Sequence, residues 1–194
     1  MKFDFLFLGN AILFGIGLAM DAFSVSLANG LSEPKIKNSK INQIAATFGL
    51  FQSLMPLIGW LCIHTIVTVF IGFQKFIPWI ALILLLYIGG KMILECFSSR
   101  EECLVEELSL AVLLLQGIAT SIDALSVGFT ISDYSFRFAF YEAAIIGMVT
   151  YLLSYSGVKI GQKFGTRLSN KASLTGGIIL ISIGLRIWIT GVFI

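Results

Sequence analysis

Long apolar runs alternate with short polar stretches along the whole chain. A membrane-spanning helix takes about 20 mainly apolar residues. Six windows meet that requirement: roughly 5–29, 42–64, 77–96, 107–131, 137–159 and 173–193. The polar connections are brief, at 32–40, 74–76, 98–106, 132–136 and 161–172. The longest acidic stretch, Glu101, Glu102, Glu106 and Glu107, sits between spans 3 and 4. No connection has room for a soluble domain, so residues 1–194 read as a single transmembrane domain. The first run, Phe5 to Leu31, is longer than a signal-peptide core of about 7–15 residues. It also contains Asp21, and we read it as a retained first helix.

Composition agrees with this pattern. Hydrophobic residues make up 57% of the 194 and charged residues 12%, whereas soluble domains are about half apolar and about a quarter charged. A net charge of +2 with no Lys/Arg run gives no basis for nucleic-acid binding. No phosphate-binding loop or zinc-type Cys/His spacing is present. His64 is the only histidine, and Cys62, Cys96 and Cys103 form no metal-like cluster. The odd cysteine count argues against a disulfide framework. Basic residues divide nine to four between the two membrane sides, with connections 1–2, 3–4 and 5–6 on the richer side. The richer side is expected to be cytoplasmic, with both termini outside.

The chain also repeats itself. Gly15–Val25 (GIGLAMDAFSV) aligns with Gly117–Val127 (GIATSIDALSV) at offset 102, with six of eleven positions identical. Spans 2 and 5 align at offset 98, Gly49 over Gly147 and Gly59 over Gly157. Spans 3 and 6 align at offset 95, Ile88–Lys91 over Ile183–Arg186. The matches run in order, giving repeats over about 5–96 and 107–193. A unit of three spans is odd, so the second must enter the membrane from the other side. The predicted fold is therefore an all-α integral membrane protein, six transmembrane helices arranged as two inverted three-helix repeats, as in secondary transporters.

Asp21 and Asp123 are equivalent in this repeat. A carboxylate in hydrocarbon costs about 2.5–3.5 kcal/mol on insertion scales, so neither is expected to face lipid. Two separate structural carboxylates are one explanation. A shared cation site is the one we favour, because transporter sites lie at repeat interfaces. Two negative charges and hard oxygens suit a divalent ion such as Mg²⁺, Ca²⁺ or Mn²⁺. Ser24 and Ser126 follow their Asp by three residues, on nearly the same helix face. Thr120 and Asn29 offer further oxygens. Each of these four serves equally well as a helix-packing polar group. Met20 precedes Asp21 but points to another face, so packing is the preferred reading.

Lys91 and Arg186 form a second equivalent pair. Snorkelling to the interface is the default for both, and a gating ion pair is the sharper alternative. Lys91 can also pair with Glu95. Glu142 reads either as an interfacial acid or as part of an outer vestibule. Gln52 lies near Pro56, which should kink span 2, and it suits an interhelical hydrogen bond. Gly157, Gly161 and Gly165 form consecutive G-x-x-x-G spacings for close packing, and His64 suits an interface.

Several segments resemble the MntP family of manganese exporters over nearly the whole chain. They are Gly17–Val25, Met55–Trp60 (MPLIGW), Ile88–Ile93 (IGGKMI), Ala119–Ala124 (ATSIDA) and Gly176–Gly184. The paired M-D-A-F and S-x-D-A motifs are the most specific of these. The resemblance implies Mn²⁺ efflux across a bacterial cytoplasmic membrane, with Asp21 and Asp123 as the key acids. Some members carry Glu where this chain has Gln52.

The expectation is a secondary-active exporter, not an enzyme, with Mn²⁺ as substrate, no cofactor and the lipid bilayer as its surroundings. No nucleotide motif points to ATP. Protons are the expected counter-ion, because one of two repelling carboxylates can exchange its metal for a proton. The rivals are an exporter of another divalent cation or of an amino acid, and a non-transporting scaffold. A scaffold has no need of two equivalent buried acids. An amino-acid carrier needs an anion-binding half as well.

Overall fold

The computed structural model describes residues 5–33, 35–65, 77–98, 108–168 and 172–193. Their regular elements are seven helices: α1 Phe5–Ser32, α2 Asn38–Thr65, α3 Ile77–Ser98, α4 Leu110–Thr120, α5 Ile122–Thr130, α6 Phe136–Leu168 and α7 Ala172–Phe193. The Gln74–Phe76 turn and the Glu101–Glu107 stretch lie outside the described residues. So do the side chains of His64, Lys91, Glu95 and Cys96 and the surroundings of Gly165. Among the described residues, Phe7–Ser32, Asn38–Cys62, Leu110–Thr130 and Phe136–Phe164 are long and apolar enough to cross a bilayer. The chain is an all-helical, multi-pass membrane protein.

Two helices depart from the apolar windows. The predicted 161–172 connection is helical as far as Leu168. Polar side chains at its start and just before it have partners, which stabilises the extension. Gln162 donates to the Ile36 carbonyl at 2.9 Å, and Lys159 Nζ donates to Asn38 Oδ1 at 2.7 Å. The fourth span is divided at Ser121 into α4 and α5.

Helix directions follow from who meets whom. Phe7 lies against Phe138, with ring centroids 5.6 Å apart, and Gly161 lies against Leu27 and Gly30. α1 and α6 therefore run parallel. α2 runs antiparallel to α6, since Asn42 accepts from Tyr151 near one end and Gly49 meets Gly147 further along. α3 is antiparallel to α7, with Trp79 on Trp188 at 5.2 Å and Gly89 on Gly177.

These helices approach closely because glycine sits where backbones meet. Lipid tails are as apolar as leucine, so close packing rather than hydrophobic exclusion drives association in a membrane. A Cβ at Gly49 would stand 2.8 Å from the Gly147 carbonyl oxygen, and one at Gly147 would stand 2.7 Å from that of Gly49. Gly59 abuts Leu125 and Gly128, whereas Gly157 abuts Phe23 and Ser26. At offset 102 those two pairs of neighbours are each other's counterparts. Ala22, Val25 and Ala28 of α1 join Ile41, Ile44 and Phe48 of α2 in the main apolar cluster.

Candidate functional site

The division of the fourth span is built by Ser121. Its N–H bonds the Ile118 carbonyl at 3.2 Å, three residues back, not the Gly117 carbonyl expected of an α-helix. The Ser121 hydroxyl takes up that Gly117 carbonyl instead, at 2.7 Å. Ser121 itself has φ −106° and ψ 5°, outside the helical well. Serine competes with the backbone for hydrogen bonds in this way.

A new helix, α5, starts at Ile122 and puts Asp123 in its first turn. Helix N-termini offer unpaired N–H groups and a positive dipole end, both favourable to a carboxylate. The Asp123 side chain accepts from its own N–H and that of Ala124. The residue has an exposed surface although protein atoms crowd its carboxylate. It therefore lies at the surface of the helix bundle, outside the packed core.

Asp21 lies on an unbroken helix. Arg186, reaching from α7, donates to Asp21 Oδ1 at 2.9 Å. The arginine side chain is 69% exposed and the aspartate 15%. Asp21 stands eleven residues from the Ser32 end of α1, about 17 Å along the axis. This depth explains why Arg186 pairs and does not snorkel: an intramembrane carboxylate finds its cation nearby.

Gln52 lies between the segments that carry the two acids. The Asp21 charge acts on Asp123, and the Gln52 amide is within hydrogen-bonding reach of the Asp123 carboxylate. The same amide bonds the Leu18 carbonyl of α1 at 3.3 Å. Gln52 is fully buried, and its Oε1 has no hydrogen-bond partner among the described residues. Pro56, inside α2, has no N–H to return to the Gln52 backbone carbonyl. The Gln52 amide oxygen is thus left over, and its backbone carbonyl lacks the usual α-helical donor.

The remaining predicted residues divide into two groups. Ser24 donates to the Met20 carbonyl at 2.8 Å, and Thr120 to the Gln116 carbonyl at 2.9 Å. Each hydroxyl keeps its lone pairs for another partner. Ser126 is exposed, one turn beyond Asp123. Asn29 sits apart, about 12 Å further along α1. It exchanges two bonds with buried Gln116, at 2.8 and 3.2 Å. Met20 is 47% exposed, on the outside of the bundle. Glu142 is buried in α6, and its Oε2 has no partner among the described residues. Burial pushes the nearby Tyr134 phenol up in pKa, and the Glu142 charge adds to that.

Sequence reasoning singled out neither Ser121 nor Gln116, and it gave Arg186 the wrong default. The signal for Arg186 was its depth, midway along the 173–193 window. Among the described residues no three His, Cys, Asp or Glu side chains converge. A cation here would be held by two carboxylates and neutral oxygens.

A family model described as "Putative manganese efflux pump" matches residues 33–188. The chain belongs to this family. A protein of Ruminiclostridium cellulolyticum named "Putative manganese efflux pump MntP" is 41% identical, over 94% of this chain and 95% of its own. A namesake from Rippkaea orientalis is 43% identical, over 95% and 97%. One from Methanosphaera stadtmanae is 42% identical, over 92% and 97%. No solved structure matches. The family is one of membrane transporters, not enzymes.

Proposed function

We propose that the chain is a secondary-active exporter that carries Mn²⁺ across the cytoplasmic membrane. The observation that carries this reading is the placing of Asp21 and Asp123 on segments either side of Gln52, beside a broken helix. Discontinuous helices whose ends and freed carbonyls face the bilayer midplane are the usual construction of transporter ion sites. Asp21 and Asp123 supply charge. The spare Gln52 oxygens and the hydroxyls of Ser24, Thr120 and Ser126 supply neutral ligands suited to a hard divalent ion. Asn29, bonded to Gln116 further along α1, is given no ligand role. Manganese as the cargo rests on the relatives' names.

The reading includes six passes in two inverted repeats. In support, α1 and α6 are parallel while α2 and α6 are antiparallel, as first, second and fifth passes must be. The Gly49–Gly147 contact is also reciprocal, as expected on a pseudo-twofold axis. Protons are the proposed counter-ion, replacing the metal on one carboxylate. Both termini are assigned to the outside. Cysteines introduced at Lys37 and Lys163 should then escape membrane-impermeant reagents in intact cells, while one at Gln74 is labelled. The reverse pattern overturns the orientation.

The site is tested by Mn²⁺ binding to the purified protein and by cellular manganese under Mn²⁺ stress. Asp21→Asn and Asp123→Asn should each lower binding and efflux by about a hundredfold or more, about 3 kcal/mol. Unchanged efflux in both single variants would sink the paired-acid site. Protection against Zn²⁺, Co²⁺ or Cd²⁺ but not Mn²⁺ would change the cargo.

A further inference from the structure

Arg186 is a permanent cation bonded to the carboxylate proposed to bind the cargo. It holds Asp21 Oδ1 at 2.9 Å, and its side chain is 69% exposed against 15% for the aspartate. The arginine is therefore the outer partner of the pair, and the acid is mostly enclosed. A divalent ion needs the same carboxylate lone pairs. Two cations cannot share them without strong repulsion in a low-dielectric surrounding.

From this geometry we propose that Arg186 is a tethered counter-cation: it occupies Asp21 when the site is empty and is displaced when the metal binds. This rests on the paired-acid site proposed above. The physical need for such a group is plain. An exporter must return without its cargo, and an empty site would leave Asp21 as an unpaired carboxylate inside the membrane. Such a group costs several kcal/mol unless paired. Arg186 supplies the missing positive charge. Its long, exposed side chain swings aside for the ion and returns after release, so part of the charge balance is internal to the protein. The arrangement weakens metal binding and speeds release. Arg186 acts through Asp21 and does not ligate the metal.

The discriminating measurement is Mn²⁺ affinity together with transport kinetics in Arg186→Gln and Arg186→Lys. With the counter-cation removed, Arg186→Gln should bind Mn²⁺ about tenfold more tightly, an effect reduced from its full Coulomb value by exposure. Its KM and maximal efflux rate should both fall, because loading is favoured and the empty return is hindered. Arg186→Lys keeps the charge and should stay within about threefold of the parent in both. A merely structural role for Arg186 would lower rate and affinity together. An affinity in Arg186→Gln equal to or weaker than that of the parent overturns the proposal.

A second measurement needs no variant. Phenylglyoxal modification of Arg186, read on its peptide by mass spectrometry, should accelerate when Mn²⁺ is added to the native protein. An unchanged or slower rate overturns displacement. Asp21→Asn separates the two levels of argument. If it binds Mn²⁺ like the parent, the site itself is wrong. If it loses binding while Arg186→Gln is unaltered, only the counter-cation fails.

Discussion

Asp21 and Asp123 occupy matching places in the strongest internal repeat, yet they are held in opposite ways. Asp21 rides on a continuous helix and is neutralised by a full positive charge. Asp123 opens a new helix and is held by backbone N–H groups and a side-chain amide, all neutral. The break falls where Leu18 and Ala19 of the first repeat are replaced by Thr120 and Ser121, whose hydroxyls bond back to the Gln116 and Gly117 carbonyls. Alanine has no group to compete with the helix, so α1 continues past position 19. The Ser121 hydroxyl takes the Gly117 carbonyl, its own N–H shifts to Ile118, and the helix restarts. A repeat can therefore preserve its charged residue and exchange the means of stabilising it. One acid is left with a removable partner and the other with a fixed one.

The largest effect expected from this contrast is in the aspartate variants. Asp21→Asn leaves Arg186 as an unpaired cation facing the metal, so it should suffer twice, by a lost ligand and by added repulsion. Adding Arg186→Gln to Asp21→Asn removes the repulsion and should recover about tenfold in Mn²⁺ affinity. In Asp123→Asn the arginine still pairs with Asp21, so the same second change should tighten binding about tenfold there, as in the parent. Calorimetry on the four proteins decides it. The distinction shows in the single variants: Asp21→Asn should bind Mn²⁺ more weakly than Asp123→Asn, and equal losses would erase it.

A smaller effect is expected from making the two helices alike. Ser121→Ala gives the fourth span the residue found at Ala19, so its N–H can return to Gly117. Efflux should fall roughly tenfold as Asp123 loses its place in a first turn, whose dipole and free N–H groups are each worth up to about 1 kcal/mol. Stability should change little, since alanine is the better helix former by roughly half a kcal/mol. Hydrogen exchange at Ala124 and Leu125 should slow as the helix becomes continuous. Unaltered efflux with slowed exchange would show that the break is dispensable.

Much of this architecture was legible before any coordinates. Hydropathy marked where helices lie, because only apolar length matters to a bilayer. The repeat paired Gly49 with Gly147 and Gly59 with Gly157, and these are sites of close approach. Hydropathy could not mark helix faces, since lipid and protein neighbours are equally apolar and leave little periodicity to read. The break at Ser121 was hidden for a related reason: the window 107–131 is apolar throughout, and a lone serine there normally bonds back without breaking the helix. The extension of α6 to Leu168 was missed because Gln162 and Lys163 look like loop residues until Ile36 is seen to hold Gln162. Arg186 was misread from the reach of its side chain, although its depth in the last span already called for a carboxylate partner.

The smallest predicted effect concerns what joins the two acids' helices. Asn29 of α1 and Gln116 of α4 exchange two hydrogen bonds in a buried setting, at 2.8 and 3.2 Å. Gln116 lies before the break, so the clasp ties α1 to α4 and leaves α5, with Asp123, on the far side of Ser121. If the acids differ because one stands on a fixed helix and the other beyond a hinge, this clasp is part of the fixed side. Each single alanine variant strands the partner amide, which costs about 1–3 kcal/mol. The double variant strands neither, so a double-mutant cycle should return a coupling of about 0.6–1.7 kcal/mol, the range seen for interhelical polar pairs in membranes. Unfolding in detergent measures it. A coupling near zero would mean that α4 is not held to α1, and the hinge at Ser121 would then lose its fixed side. A coupling in the expected range, with Mn²⁺ affinity within about threefold of the parent, would assign Asn29 to the scaffold and leave metal binding to Asp21, Asp123 and the oxygens around Gln52.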